Sequence, residues 1–247
     1  MQTSSLFTAM SGLEDIDAQL QAVSANIANA NTPGYAAVQA QAETATYTGA
    51  NAPPGGAVVA TLPGPDLKQG SMTHTGDDLD VGLSGDSWLT VQTANGTALT
   101  RDGALSISNA GLLTDSSGNP VLGLGGTPIS LPQLSSIKIG ADGTISGVVA
   151  GSGGSLAQAF GQIAMVASPS GSLTPLGNSL YQAQPGAPLV PSADGALHQG
   201  YLNGSNVDPT MAMMQMIDDS KSYELQAQLT KSQSSASSDL NTLLAQG

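Results

Sequence analysis

The sequence predicts an α+β protein: long N- and C-terminal helices paired as a coiled-coil-like inner domain, with a central antiparallel β-rich domain between them. Three observations carry this. From Leu6 to Tyr35 the apolar residues recur every seven positions, the spacing of a helix that packs lengthwise against others. After Asp208-Pro209 nothing breaks a second helix before Gly247. Between them, short alternating apolar runs come at roughly ten-residue spacing, separated by turn signals and not by helical patterns. Strands joined that closely pair antiparallel.

The first helix has a seam in two registers. Leu6, Leu13, Leu20 and Ile27 form one, and Ala9, Ile16, Val23 and Ala30 form the other, offset by three. Pro33 disfavours helix at Thr32, and Gly34 follows, so a hard stop is expected there. Such a helix cannot bury its own seam. Residues 1–34 are therefore assigned to the inner domain, and the cover must come from the rest of the chain or from other chains.

Residues 35–70 read as an extended connector. Pro53, Pro54, Gly55 and Gly56 break it, then Pro63 and Pro65, with one strand expected at Ala57–Leu62. Residues 71–204 form the β-rich domain. Leu79, Val81 and Leu83 alternate, and short strands are expected at Trp88–Val91, Ile137–Ile139 and Gln162–Val166. A near-repeat punctuates them: Asp102-Gly103, Asp142-Gly143 and Asp194-Gly195 each open an alternating run. Asp-Gly is the chemistry of a tight hairpin turn, because the turn residues must tolerate positive φ. Asn95-Gly96 and Gly118-Asn119 read as further turns, and Gly147 to Gly154 as a loop tip.

Residues 205–247 form the second helix. Asp208 is placed as its N-cap and Pro209 as its first residue, and it runs about 38 residues, roughly 57 Å. Its apolar side chains are front-loaded: Met211, Met213, Met214, Met216 and Ile217, then Tyr223, Leu225 and Leu229, with Leu240, Leu243 and Leu244 later. No single seven-residue seam holds them all. Positions 213, 220, 227, 234 and 241 read Met, Ser, Ala, Ser, Asn, small enough for close approach. Neither helix can be covered by one partner, which points to a bundle of several copies.

Composition narrows the function. Of 247 residues only five are basic, none before Lys68, and the formal charge is −13. Phosphate contacts need Lys and Arg, so nucleic acid is not an expected partner, nor is an anionic membrane surface. There is no cysteine, hence no disulfide framework or thiolate metal site. No run of 18 apolar residues exists to span a membrane. The N-terminus lacks a basic region followed by an apolar one, which predicts no cleavable signal peptide of the usual kind. His74 and His198 lack ligand spacing, and Asp77, Asp78 and Asp80 lack the calcium-loop pattern. No phosphate-binding glycine loop and no G-x-S-x-G elbow is present. No cofactor, metal, small-molecule substrate or catalytic residue is expected.

The ends and the middle together resemble the bacterial flagellar rod and hook family. Ala28-Asn29-Ala30-Asn31-Thr32-Pro33-Gly34-Tyr35 looks like its N-terminal signature, with Ser24 and Asn26-Ile27 before it. Gly204-Ser205-Asn206-Val207, Met214 to Ile217 and Tyr223-Glu224 resemble its C-terminal one. Leu79-Asp80-Val81, Trp88-Leu89-Thr90-Val91-Gln92-Thr93, Thr100-Arg101-Asp102-Gly103 and Ile139 to Ser146 fit the body. Phe7-Thr8-Ala9-Met10, the Trp-Leu-x-Val-Gln-Thr run and the modest length are most similar to the proximal rod members, with the distal rod members next. There are departures: Ala36-Ala37 stand where the family often has Arg or Lys, Asn203 stands for a usual Glu, and Lys221 for a usual Arg. The first helix carries Glu14, Asp15 and Asp17 without a base.

The resemblance implies an axial structural subunit of the periplasmic rod in the flagellar basal body. Such a subunit polymerises by terminal-helix packing into a helical tube that transmits torque and serves as an export channel. It implies copies of itself and other proximal and distal rod proteins as partners, and delivery by the flagellar type III export apparatus. The expected assembly interface takes Leu6, Ala9, Leu13, Ile16, Leu20, Val23, Ile27 and Ala30 from the seam, then Asn31, Pro33, Gly34 and Tyr35 from the turn. From the C-terminal segment it takes Asn206, Val207, Met213, Met214, Met216, Ile217, Tyr223, Leu225 and Leu229. A secreted β-rich binding module and an enzyme on a β scaffold are the competing classes. The first needs exposed aromatics, yet aromatics are 3% of the chain. The second would have only carboxylates such as Asp77 and Asp80 to work with.

Overall fold

The computed structural model describes residues 2–46, 56–151, 157–167, 173–183 and 188–245. They fall into two compact units, one of Met1–Ala28, Val38–Gly64 and Asp208–Gly247, the other of Asn29–Ala37 and Pro65–Val207.

The first unit holds α1 (Gln2–Ala28), β1 (Val38–Thr46), nearly all of β2 (Gly56–Pro65), and α2 (Pro209–Ala245). β1 and β2 pair with each other, inside the stretch expected as connector. Asn26 is a clamp near the end of α1: its side chain donates to the Val38 carbonyl at 2.9 Å and accepts from the Val38 N–H at 2.8 Å. The start of α2 follows its sequence cues. The Asp208 carboxylate accepts from the N–H of Thr210 at 2.9 Å and of Met211 at 3.1 Å, satisfying two of the donors that a helix start leaves open.

The expected fold class needs correction. Among the described residues there are only two helices, most of the elements are strands spread over six sheets, and no coiled-coil pairing of the terminal helices is present. The helices do touch, with Gly12 facing the Gln226 side chain, but they form no heptad seam. The physical reason lies in α2. At about 100° per residue, Met211, Met213, Met214 and Ile217 spread over the half of the helix opposite the buried Ala212 and are exposed, so they do not meet the seam of α1. In α1 only Ser11, Ala22 and Val23 are buried among described side chains, and Leu13, Ile16 and Leu20 are half-buried.

The helix stop also falls earlier than Pro33. α1 ends at Ala28, and residues 29–34 form a turn. Thr32 donates its N–H to the Asn29 carbonyl and its hydroxyl to the Asn29 side chain, both at 3.1 Å. Side chains of this kind offer the backbone a turn in place of another helical bond.

The second unit is all strand and turn. In chain order it contains β3 (Met72–His74), β4 (Val81–Ser84), β5 (Trp88–Thr93), β6 (Gly96–Thr100), β7 (Ser106–Ile107), β8 (Leu113–Thr114), β9 (Leu134–Ile139) and β10 (Thr144–Val149). There follow β11 (Gln158–Gln162), β12 (Met165–Val166), β13 (Thr174–Gly177), β14 (Leu180–Gln182), β15 (Ala196–Gln199) and β16 (Tyr201–Asn203). The largest sheet has the order β12-β5-β6-β14-β13, and a second runs β11-β10-β9. Two-stranded pieces β15-β4, β16-β3 and β7-β8 complete it, and every one of these pairs is antiparallel. The apolar alternation read at Val81 and Leu83 becomes the buried face of β4, which joins Leu89, Val91, Leu113, Ile145 and Leu197 in the main core. A smaller core gathers Trp88, Leu99, Val166, Leu173 and Tyr181 around Ala36.

The three Asp-Gly pairs do two different jobs. Gly143, at φ +86°, turns the β9–β10 hairpin, with its N–H on the Gly140 carbonyl at 2.9 Å. Gly103 and Gly195 have no positive φ. At Gly103 a Cβ would lie 1.7 Å from the Val81 carbonyl oxygen, so glycine there lets two backbones approach. Composition alone cannot separate these uses.

Candidate assembly surfaces

Each unit carries one feature that the expected interface residues belong to. In the helical unit it is the exposed apolar face of α2. Met211, Met213, Met214 and Ile217 are 67%, 52%, 61% and 54% exposed, and Leu225 and Leu229 are 62% and 63%. Only Ala212 is buried among their neighbours. Met216, which points nearest to the Ala212 side of the helix, is the least exposed of the four methionines at 39%. Tyr223 is also exposed. Burial of a side chain of this size is worth about 1.5–3 kcal/mol, so the face represents a large free energy left unrealised in the single chain. Charge borders it: Asp218 and Asp219 follow Ile217, and burial first, then the adjacent Asp218, pushes the Asp219 carboxyl above the ordinary Asp value.

On α1 the seam residues split. Val23 is buried, while Leu13, Ile16, Leu20 and Ile27 are half-buried. The side chains of Leu6 and Ala9, like those of Leu240, Leu243 and Leu244, lie outside the described residues.

In the β unit the feature is the Asn29–Ala37 segment, which is locked to the body by polar contacts. Gly34 donates its N–H to the Asn203 carbonyl at 2.8 Å. It sits at φ +66°, and a Cβ there would come within 2.2 Å of the Asp102 nitrogen, so both conformation and proximity demand glycine. Ala36 donates to the Tyr181 hydroxyl at 2.9 Å, and that hydroxyl donates to the Ala36 carbonyl at 3.2 Å. Burial pushes the Tyr181 phenol up to about 12 and raises that of Tyr35 as well.

Asn206 spans three backbone segments. It accepts from the Ala37 N–H at 2.6 Å and donates to the carbonyls of Asp66 and Lys68, each at 2.9 Å. Its own N–H reaches the Tyr35 carbonyl at 3.3 Å. Thus Gly34, Tyr35 and Asn206 are brought together as a structural clamp. Asn31 is exposed, Ala30, Pro33 and Val207 are half-buried, and none of these four shares the clamp's contacts with Asn206.

Two residues of this region have a structural role that sequence patterning did not assign. Asn203, noted only as a departure, is 1% exposed; its side chain accepts from the Leu83 N–H at 2.6 Å and donates to the Leu83 carbonyl at 3.0 Å. Arg101 is 5% exposed, lies 4.2 Å over the Trp88 ring, donates to the Leu67 carbonyl at 2.6 Å and pairs with Asp86 at 3.5 Å. Desolvation lowers its pKa, against the attraction of Asp86. A lone Arg in a chain with five bases was the signal available.

The chemistry of a reaction site is thin here. A cavity of about 260 Å³ is lined by Asn29, Thr32, Asp102, Ser116 and Ser179. Its Asp102 carboxyl is raised chiefly by burial, while Ser116, which donates to it, works in the opposite direction. His74 and His198, far apart in sequence, flank the Tyr201 ring at 4.8 and 6.4 Å, but among the described residues no three His, Cys, Asp or Glu converge as metal ligands. No described helix is long and apolar enough to cross a membrane.

Comparison with known proteins places these features. Residues 6–35 match the family described as flagella basal body rod protein. Residues 82–147 match the flagellar hook protein FlgE/F/G D1 domain, and residues 198–243 the flagellar basal body rod FlgEFG protein C-terminal domain. The flagellar basal-body rod protein FlgF of Salmonella typhimurium is 33% identical over 97% of this chain and 98% of its own length. FlgF of Escherichia coli is 32% identical over the same shares. FlgG of Bacillus subtilis is 32% identical over 86% of this chain and 88% of its own. With the α1 segment, the clamp and the start of α2 all inside matched regions, the chain belongs to the flagellar basal-body rod protein family and within it is most like FlgF.

Proposed function

We propose that this protein is a structural subunit of the bacterial flagellar basal-body rod, built into it through the apolar face of α2 and the half-buried seam of α1. The likeness to FlgF proteins over nearly the whole chain carries the class, and FlgG relatives, which match a smaller share, do not favour a distal-rod reading. The exposed face of α2 supports the mechanism. Subunits meet by heterologous contacts that do not close into a ring, which yields a helical tube. The neighbours are further copies and other rod proteins, and the tube passes torque and exported subunits. The flagellar type III apparatus delivers the chain. The role is mechanical and involves no catalysis or cofactor. The organisation expected from sequence, with residues 71–204 as the outer β-rich portion, belongs to this proposal.

Deleting the gene and imaging isolated basal bodies tests it. A truncated rod with rings and export apparatus in place is the expected result, and a full-length rod would refute it. Leu13→Asp and Ile217→Asp separately test the interface: each should abolish rods and motility.

A further inference from the structure

The eight methionines of this chain are unevenly placed. Met211, Met213, Met214 and Met216 lie within one and a half turns at the start of α2, and all four are exposed. Met10 and Met72 are also exposed, at 51% and 37%, but each stands alone in the sequence, and Met165 is 9% exposed in the β core. The chain has no cysteine, so methionine is its only sulfur.

We propose that the Met211–Met216 cluster is a reversible oxidation site that gates entry of the subunit into its assembly. The inference rests on the reading of α2 as an assembly surface. The oxidant is a peroxide. A thioether lone pair attacks one peroxide oxygen, the S–O bond forms and the O–O bond breaks. The second oxygen leaves as water after taking the proton of the first. The sulfur loses two electrons and the peroxide gains them. Each sulfoxide replaces a flexible apolar side chain by a polar, chiral one, and a strong acceptor buried without a donor opposes association. Four of them on one helix start turn the apolar face polar. Methionine sulfoxide reductases reverse the step. In the assembled rod the same sulfurs are covered, so the free subunit is the sensitive form.

The first test treats the purified full-length chain with dilute hydrogen peroxide and maps oxygen addition by peptide mass spectrometry. Sulfoxide is expected at the four α2 positions several-fold faster than at Met165; equal rates would overturn the proposal. The second uses bacteria carrying this chain as the sole copy and lacking methionine sulfoxide reductases. Each strain is scored against its own rod count without peroxide: under sublethal peroxide the wild type should lose most of its rods, and M211L/M213L/M214L/M216L, which nearly conserves volume and cannot form these sulfoxides, should lose almost none of those it builds unstressed. Equal loss in both would overturn it. Restoring a reductase should return rods to the stressed wild type whatever the Leu variant does, and failure to do so counts against the proposal. Ile217→Asp separates the two readings. If it leaves rods intact, the surface assignment itself falls; if it removes them while oxidation does not, only the oxidation gate falls.

Discussion

Gly34 and Tyr181 show how single residues hold the segment Asn29–Ala37 on the β body. Gly34→Ala would place a Cβ against the Arg101–Asp102 backbone at positive φ, and should cost about 2–3 kcal/mol in chemical denaturation of the full chain. Tyr181→Phe leaves the buried Ala36 N–H without its acceptor, a loss of about 1–3 kcal/mol. The same residue sets an alkaline signature. Its phenol sits at about 12 in the folded chain against an ordinary 10.0, so the native state holds a proton that the unfolded state gives up. The associated stability is complete below 10.0 and drains as pH rises toward about 12. Denaturation midpoints across that window should fall less steeply in Tyr181→Phe than in the wild type, the remaining slope coming in part from Tyr35, whose phenol burial also raises.

At the scale of the element, α1 and α2 pack on each other, and polar side chains fix the exit of one and the start of the other. Asn26 fixes the exit of α1 by two hydrogen bonds to Val38, and Asp208 caps α2. Asp208→Ala should cost about 1 kcal/mol. It should appear as faster amide hydrogen exchange in the first turn of α2, with β5 and β6 unchanged. The helix types, the cap and the approximate lengths were legible because heptad spacing, Asp-Pro and Pro-Gly act locally. The end of α1 was not, since the Asn29–Thr32 turn competes through side-chain hydrogen bonds that a proline rule does not count. Nor was the role of Gly103, whose sequence is that of a turn and whose use is backbone contact with Val81.

For the whole molecule, the consequence is that assembly and folding can be separated. Trp88 is the only tryptophan of the chain and is fully buried in the β unit. In Ile217→Asp, an exposed position of α2, the Trp88 fluorescence and its denaturation midpoint should match the wild type while rods disappear. A shift in that midpoint would mean that Ile217 supports the fold of the single chain, not the contact between chains.

By itself the sequence determined the two helices, some of the strands and the family. Periodicity, caps and turn dipeptides are short-range, and three separated motifs in the right order suffice for kinship. It also exposed the excess apolar surface of α2, because five large apolar residues in the seven positions 211–217 cannot all face one partner. Tertiary structure alone decided that the helices form no coiled coil, that the strands divide among several sheets, that Asn203 and Arg101 are buried fastenings, and that the half-buried Asn206 ties three backbone segments together. Those outcomes depend on which backbone groups meet across more than a hundred residues, as Leu83 meets Asn203 and Ala37 meets Asn206. No local pattern in the chain records such meetings.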